Sequence, residues 1–268
     1  MTVETWAFCG VHPDAPHAAT AVRTLATKAG IDATFGPCMP PDWSTYHPAE
    51  PGPRYVDPET YRRLVILNAG EGMKTVVYDA RLWSADGVVR QQAIDFWSPH
   101  LQSIRAFDMG DEFDPASADW AVLVGRWRIM IEQVIPATGI GPFTNHLPYS
   151  EVLSKALVDM PEQRAHLSFD SYDEPTALAL TGEFNGQVNH LMVAVNALKH
   201  GPYSPTASRI TRHMQHLRAA GADSFLIFGG ATPYTADVTP DPTFGTTSLI
   251  NRLGTATMWA TAVLRGAQ

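Results

Sequence analysis

The chain is short of cysteine, lysine and long apolar runs, and each shortage closes a class of function. Only Cys9 and Cys38 occur in 268 residues. Neither sits in a zinc-type Cys/His spacing, so no structural zinc module and no metal are expected. The two are expected as buried free thiols, with a disulfide between neighbouring strands as the alternative. Lysine is confined to Lys28, Lys74, Lys155 and Lys199, no Lys/Arg run exists, and the formal charge is −8. That balance argues against nucleic acid or an anionic membrane surface as the main partner. No stretch reaches the roughly 18 apolar residues of a membrane span. The N-terminus lacks a charged n-region and an apolar h-region, so a chain without a signal peptide is expected, cytoplasmic or carried with a phage particle. No G-x-G-x-x-G follows the first strand, and there is no G-x-S-x-G and no H-x-H. Dinucleotide-binding, α/β-hydrolase and metal amidohydrolase readings lose their signatures, and no cofactor is expected.

What remains is a chain that is 45% hydrophobic and 17% charged, with ample material for one core. Short apolar runs alternate with segments of helical spacing. Strands are expected at 5–10, 31–35, 74–79, 105–115, 138–146, 166–170, 191–197 and 224–228. The segment between the sixth and seventh strands is ambiguous, and 191–197 also fits a helix. The Gly201-Pro202 loop that follows favours a strand. Asp57-Pro58-Glu59 is a strong helix start, with an N-cap and a proline in the first turn. Helices are further expected over 18–29, 84–104, 117–135, from Ser150, over 205–220 and over 246–265. Regular alternation implies a parallel sheet. Eight units of about 33 residues match a closed (β/α)8 barrel spanning 1–268 as one domain. An open doubly wound sheet is the runner-up. Residues 36–58 form a long loop after strand two, rich in proline and carrying Trp43, Tyr46, His47 and Tyr55. A loop of that length is expected to act as a lid or to stack aromatic rings on a ligand.

The densest chemistry lies in Arg105-Ala-Phe-Asp-Met-Gly-Asp-Glu-Phe-Asp-Pro115, which starts as a buried strand and ends in four acids within seven residues. Like charges crowded at a strand end push pKa values apart, as acid–base chemistry requires. Other strands also end in polar residues: Asp79 and Arg81 after the third, Asn145 and His146 on the fifth, and Asp170, Tyr172 and Asp173 after the sixth. Asn196 ends the seventh strand and Tyr234 follows the eighth. On a barrel these ends share one face, where sites form. Glu112 is expected to be a proton donor and Asp170 a nucleophile or base, with Asp111 and Asp173 as substitutes. Asp79, Arg81, Asn145, His146, Tyr172, Trp43, Asn196 and Tyr234 are expected to contact substrate.

The Phe107–Pro115 stretch resembles the D-E-P/D-E-F end of strand four in glycoside hydrolase-like barrels. Gly221-Ala-Asp-Ser-Phe-Leu-Ile-Phe228 resembles their entry into strand eight, and Met192–Ser204 with the helix after it resembles their seventh unit. The resemblance implies a (β/α)8 fold, a carbohydrate substrate and a catalytic Glu at position 112. The family's second Glu belongs at the end of strand seven, where this chain has Asn196-Ala-Leu-Lys-His200 and no carboxylate. The expected pair is therefore Asp111 or Glu112 on strand four with Asp170 or Asp173 on strand six. The expected function is hydrolysis of a polysaccharide, such as a bacterial cell-wall glycan. The alternative is an inactive barrel serving as a glycan-binding or structural module, for example in a phage tail.

Overall fold

The computed structural model describes residues 3–8, 10–15, 17–36, 57–171, 173–196, 206–228, 249 and 256–268. Eight parallel strands close into a barrel in chain order: β1 (Glu4–Ala7), β2 (Ala33–Phe35), β3 (Lys74–Val77), β4 (Ile104–Asp111), β5 (Pro142–His146), β6 (Leu167–Asp170), β7 (Leu191–Asn196) and β8 (Ser224–Phe228). The seam pairs Trp6 with Leu226, so no sheet edge remains between β8 and β1. This is the (β/α)8 barrel, and the open doubly wound alternative is set aside.

The strands are threaded by α1 (Ala18–Thr24), α2 (Pro58–Gly70), α3 (Gly87–Trp97), α4 (Ala118–Ile129), α5 (Ile135–Thr138), α6 (Ser150–Asp159), α7 (Glu174–Phe184), α8 (Ala207–Ala220) and α9 (Met258–Ala267). Local chemistry sets their starts. Asp57 accepts from the Thr60 amide with Pro58 in the first turn, and Asp86, Thr206 and Thr257 cap α3, α8 and α9 in the same way. Gly221 ends α8 in a left-handed conformation, φ 110°, where a Cβ would lie 2.2 Å from Asn185 Nδ2. Among the described residues, no helix is long and apolar enough to cross a membrane.

Several boundaries differ from the sequence-based expectation. The ambiguous segment after β6 is the helix α7, because Asp173 caps it and Pro175 sits in its first turn. The expected helix over 84–104 stops at Trp97 and continues as a 3-10 turn, Ser98–Ser103, where Pro99 removes an amide donor. The closing helix is described over Met258–Ala267 with Thr257 as its cap, and most of the expected 246–257 portion lies outside the described residues. The long loop's Trp43 and both cysteines lie outside the described residues, as do Tyr172 and Tyr234.

Alternation along the strands decides which residues reach the barrel interior. Trp6, Phe35, Val76, Phe143, Met192 and Leu226 pack together there, while the opposite faces pack against the helices. Burial of each large side chain contributes about 1.5–3 kcal/mol. The N-terminal end of the barrel is closed by an ion pair: Arg105 Nε and Nη2 donate to the two Glu4 oxygens at 2.7 and 2.8 Å, with the guanidinium 5.0 Å from the Trp6 ring centre. His166 packs beside it, its ring 4.7 Å from His190 and 5.4 Å from Trp6. Burial first, then the neighbouring His190 and Arg105 charges, push His166 down to about 3. With that end plugged, the C-terminal end is left for chemistry.

Candidate active site

β4 is the longest strand among the described residues, and its last residues leave regular geometry. The register against β5 pairs Asp108 with Phe143 and then Asp111 with Asn145, so three steps on β4 match two on β5. This is a bulge, the device that re-aims side chains beside sites. Gly110 sits in it at φ 122°, where a Cβ would fall 2.5 Å from the Phe113 ring. Glu112 follows at φ 53°, a left-handed conformation that costs a non-glycine residue about 1–2 kcal/mol. Strain of this kind persists where surrounding contacts hold it, often at functional sites.

The bulge gives β4 two acids on the interior face. Asp108 shares a register position with Phe143, which belongs to the interior cluster. Asp111 shares one with Asn145, whose Nδ2 donates to Asp111 Oδ1 at 3.1 Å. Asp170 shares one with Ala194, again an interior residue. Asp108, Asn145 and Asp170 are 3%, 3% and 4% exposed. Asp111 is half-buried and Glu112 is exposed on the lip. β5 grips the bulge from the side: Thr144 Oγ1 donates to the Gly110 carbonyl at 2.8 Å, and the Glu112 amide donates to the Asn145 carbonyl at 2.9 Å.

Across the mouth the lining changes character. Phe8 follows β1 and packs on the interior cluster, 5.3 Å from Phe35 and 5.2 Å from Phe228 between ring centres. The mouth thus sets a polar arc on β4, β5 and β6 opposite an aromatic pair, Phe228 on β8 and Phe8 after β1. An aromatic face and an array of acceptors suit a ligand with one apolar face and many hydroxyls. Among the described residues, no group of three or more His, Cys, Asp or Glu is arranged to hold a metal ion.

Four expected site residues are engaged by partners within the scaffold. His146 points away from the mouth: it is fully buried, hydrogen-bonded to Gln163 at 2.7 Å and packed against Trp120. Burial pushes it down to about 4 against the opposing Gln163 bond, so it stays neutral. Asp79 is buried and its oxygens are engaged by Arg81, at 2.6 Å from Nη2, and by Trp97 Nε1 at 2.9 Å. Arg81 lies over the Phe96 ring. Asp79 and Arg81 therefore brace the β3 exit against α3. Asp173 is exposed and caps α7 through the Thr176 amide and hydroxyl, and those hydrogen bonds hold its carboxyl below the usual range. Two interior residues, Asp108 and Ser168, escape the reading from strand ends. Alternation from Ala106 identifies Asp108, and alternation back from Asp170 identifies Ser168.

No family model and no curated protein matches the sequence. The architecture does match solved structures. A family 39 glycoside hydrolase from Bacteroides cellulosilyticus WH2 superposes with TM-score 0.63 at 13% identity, covering 98% of this chain and 64% of that one. A mutant of xylanase A from P fluorescens subsp. cellulosa, in complex with xylopentaose, gives 0.58 at 11% identity over 100% and 98%. Tryptophan synthase from M. tuberculosis gives 0.54 at 15% identity over 100% and 94%. The likeness is one of fold. Glycoside hydrolases recur among these neighbours, and tryptophan synthase shows that the same barrel carries other chemistry.

Proposed function

We propose that the chain is a glycoside hydrolase acting on a polysaccharide at the C-terminal mouth of the barrel. The observation that carries the reading is the two-sided mouth, with Asp108, Asp111, Asn145 and Asp170 on strands opposite those that carry Phe8 and Phe228. A sugar ring presents C–H groups to an aromatic face and hydroxyls to acceptors, and glycosidic cleavage needs two carboxyl groups beside the bond. Glu112 gives its proton to the departing glycosidic oxygen. An ionised carboxylate, Asp111 or Asp170, activates the incoming water or attacks the anomeric carbon as the C–O bond breaks. The strained backbone at Glu112 supports its place in the machinery. The repeated glycoside hydrolase neighbours, one solved with xylopentaose, support a carbohydrate ligand.

A second reading has its own observation. β7 ends in Asn196, not a carboxylate, which suits a barrel that binds glycan without cleaving it. Assay of the parent and Glu112→Gln on wall and plant glycans separates the two. Loss of reducing-end release in the variant supports hydrolysis. Binding without release from the parent supports the second reading.

A further inference from the structure

Resting on the hydrolase reading above, we infer that Ser168 and Asn145 form a positioning relay that holds Asp111 as the ionised partner of Glu112. Asp111, Asn145 and Ser168 occupy one row of the sheet across β4, β5 and β6. Ser168 Oγ lies 2.8 Å from Asn145 Oδ1 and Asn145 Nδ2 lies 3.1 Å from Asp111 Oδ1. In this arrangement the Ser168 hydroxyl donates to the amide oxygen while the amide NH2 is turned toward Asp111. The Asp111 oxygen it meets is therefore an acceptor, and donation to a carboxylate favours the charged form.

Asn145 and Ser168 are buried, so neither amide nor hydroxyl has a competing solvent shell. Asn145 also reaches the second acid through its backbone, because its carbonyl accepts the Glu112 amide at 2.9 Å. One residue thus fixes both ends of the bulge: its side chain orients Asp111 and its main chain holds the strained Glu112. Ser168 occupies the amide oxygen. Neither Asn145 nor Ser168 need touch the substrate. They are positioning residues, and Asp111 carries the charge at the reacting centre.

The test combines a readout that needs no substrate with one that does. Carboxyl-carbon NMR titration of the full chain follows Asp111 in the parent, Asn145→Ala, Ser168→Ala and Ser168→Thr, with Asp114 as the reference. The relay predicts that Asp111 titrates about one pH unit higher in Asn145→Ala, the effect of one hydrogen bond to a charged group. Ser168→Ala shifts it the same way by less, and Ser168→Thr, which keeps the hydroxyl, restores the parent value. With a cleavable glycan, Asn145→Ala lowers kcat about tenfold with KM within about twofold. The acid limb of its pH–rate profile moves up with the NMR midpoint. If Asn145→Ala does not fold, Ser168→Ala and Ser168→Thr carry the test. An unchanged Asp111 midpoint in a folded variant overturns the relay, whatever the activity. A shifted midpoint in a parent that cleaves no glycan upholds the relay and removes the hydrolase reading. A shifted midpoint with an unmoved acid limb overturns the role given to Asp111.

Discussion

Asn145 joins Asp111 by a 3.1 Å hydrogen bond between side chains, and this bond ties the end of β4 to β5 at the point where β4 bulges. The bulge is what makes two of the four clustered acids, Asp108 and Asp111, face one interior. In a regular strand, residues three apart point to opposite sides.

Gly110→Ala tests the bulge directly. At φ 122°, with its Cβ 2.5 Å from the Phe113 ring, alanine is strained in backbone and in space. A loss of about 1–3 kcal/mol is expected in urea unfolding, together with loss of activity. Parent-like stability would mean that the strand end relaxes freely.

Asp79→Ala should unfold the protein more easily without touching chemistry. It strips Trp97 Nε1 and Arg81 of their common acceptor. Leaving a buried donor and a half-exposed guanidinium unpaired costs about 2–4 kcal/mol. Activity per folded molecule is expected to stay within about twofold of the parent. A selective rise in KM would return Asp79 to the substrate site.

Acid sensitivity follows from the two histidines held neutral by their surroundings, His146 and His166. His146 and His166 lie at about 4 and about 3 when folded, against 6.5 for a free imidazole. Their folded values are depressed, so the unfolded chain binds the extra protons. Their stabilising effect is complete above pH 6.5 and drains away as pH falls toward those values, by up to about 1 kcal/mol per pH unit for each. His146→Phe should flatten the dependence of unfolding free energy on pH between 6.5 and about 4. A slope equal to the parent's would assign the acid sensitivity elsewhere.

Much of this was legible in the sequence. Eight short apolar runs separated by capped helical segments specify the barrel, and Asp57-Pro58 announced α2 from local chemistry alone. The strand-four acids were legible as a cluster. Which of them face inward was not, because a bulge at Gly110 shifts the period by one residue and leaves no mark in the letters except the glycine. Asp79, His146 and Asp173 were polar residues at strand ends, the right pattern for a rim. Their side chains turn to Arg81 and Trp97, to Gln163 and to Thr176; Arg81 and Thr176 are sequence neighbours, whereas Trp97 and Gln163 are brought within reach only by the tertiary structure. Ser168 reads as an ordinary strand serine until the Asn145 amide is seen beside it.

The Arg105–Glu4 pair explains why the other end of the barrel stays shut. Arg105 stands at the start of the acidic stretch, yet its guanidinium serves Glu4 at the far end. Burial would raise the Glu4 carboxyl, and the Arg105 hydrogen bond and charge more than offset this and hold it low. Arg105→Met is expected to lower the thermal midpoint by several degrees, the effect of leaving a half-buried carboxylate unpaired. Calorimetry at neutral pH reads it, and an unchanged midpoint would discount the pair as a plug.

Hydrolysis at this mouth is decided by the release of reducing ends from a panel of polysaccharides by the parent, Glu112→Gln and Asp111→Asn, with folding monitored in parallel. Release by the parent is expected, with a fall of at least about 100-fold in each variant, the usual worth of a positioned acid or base, and unfolding midpoints close to the parent's. Release by either variant at the parent's rate would contradict the roles given to Glu112 and Asp111.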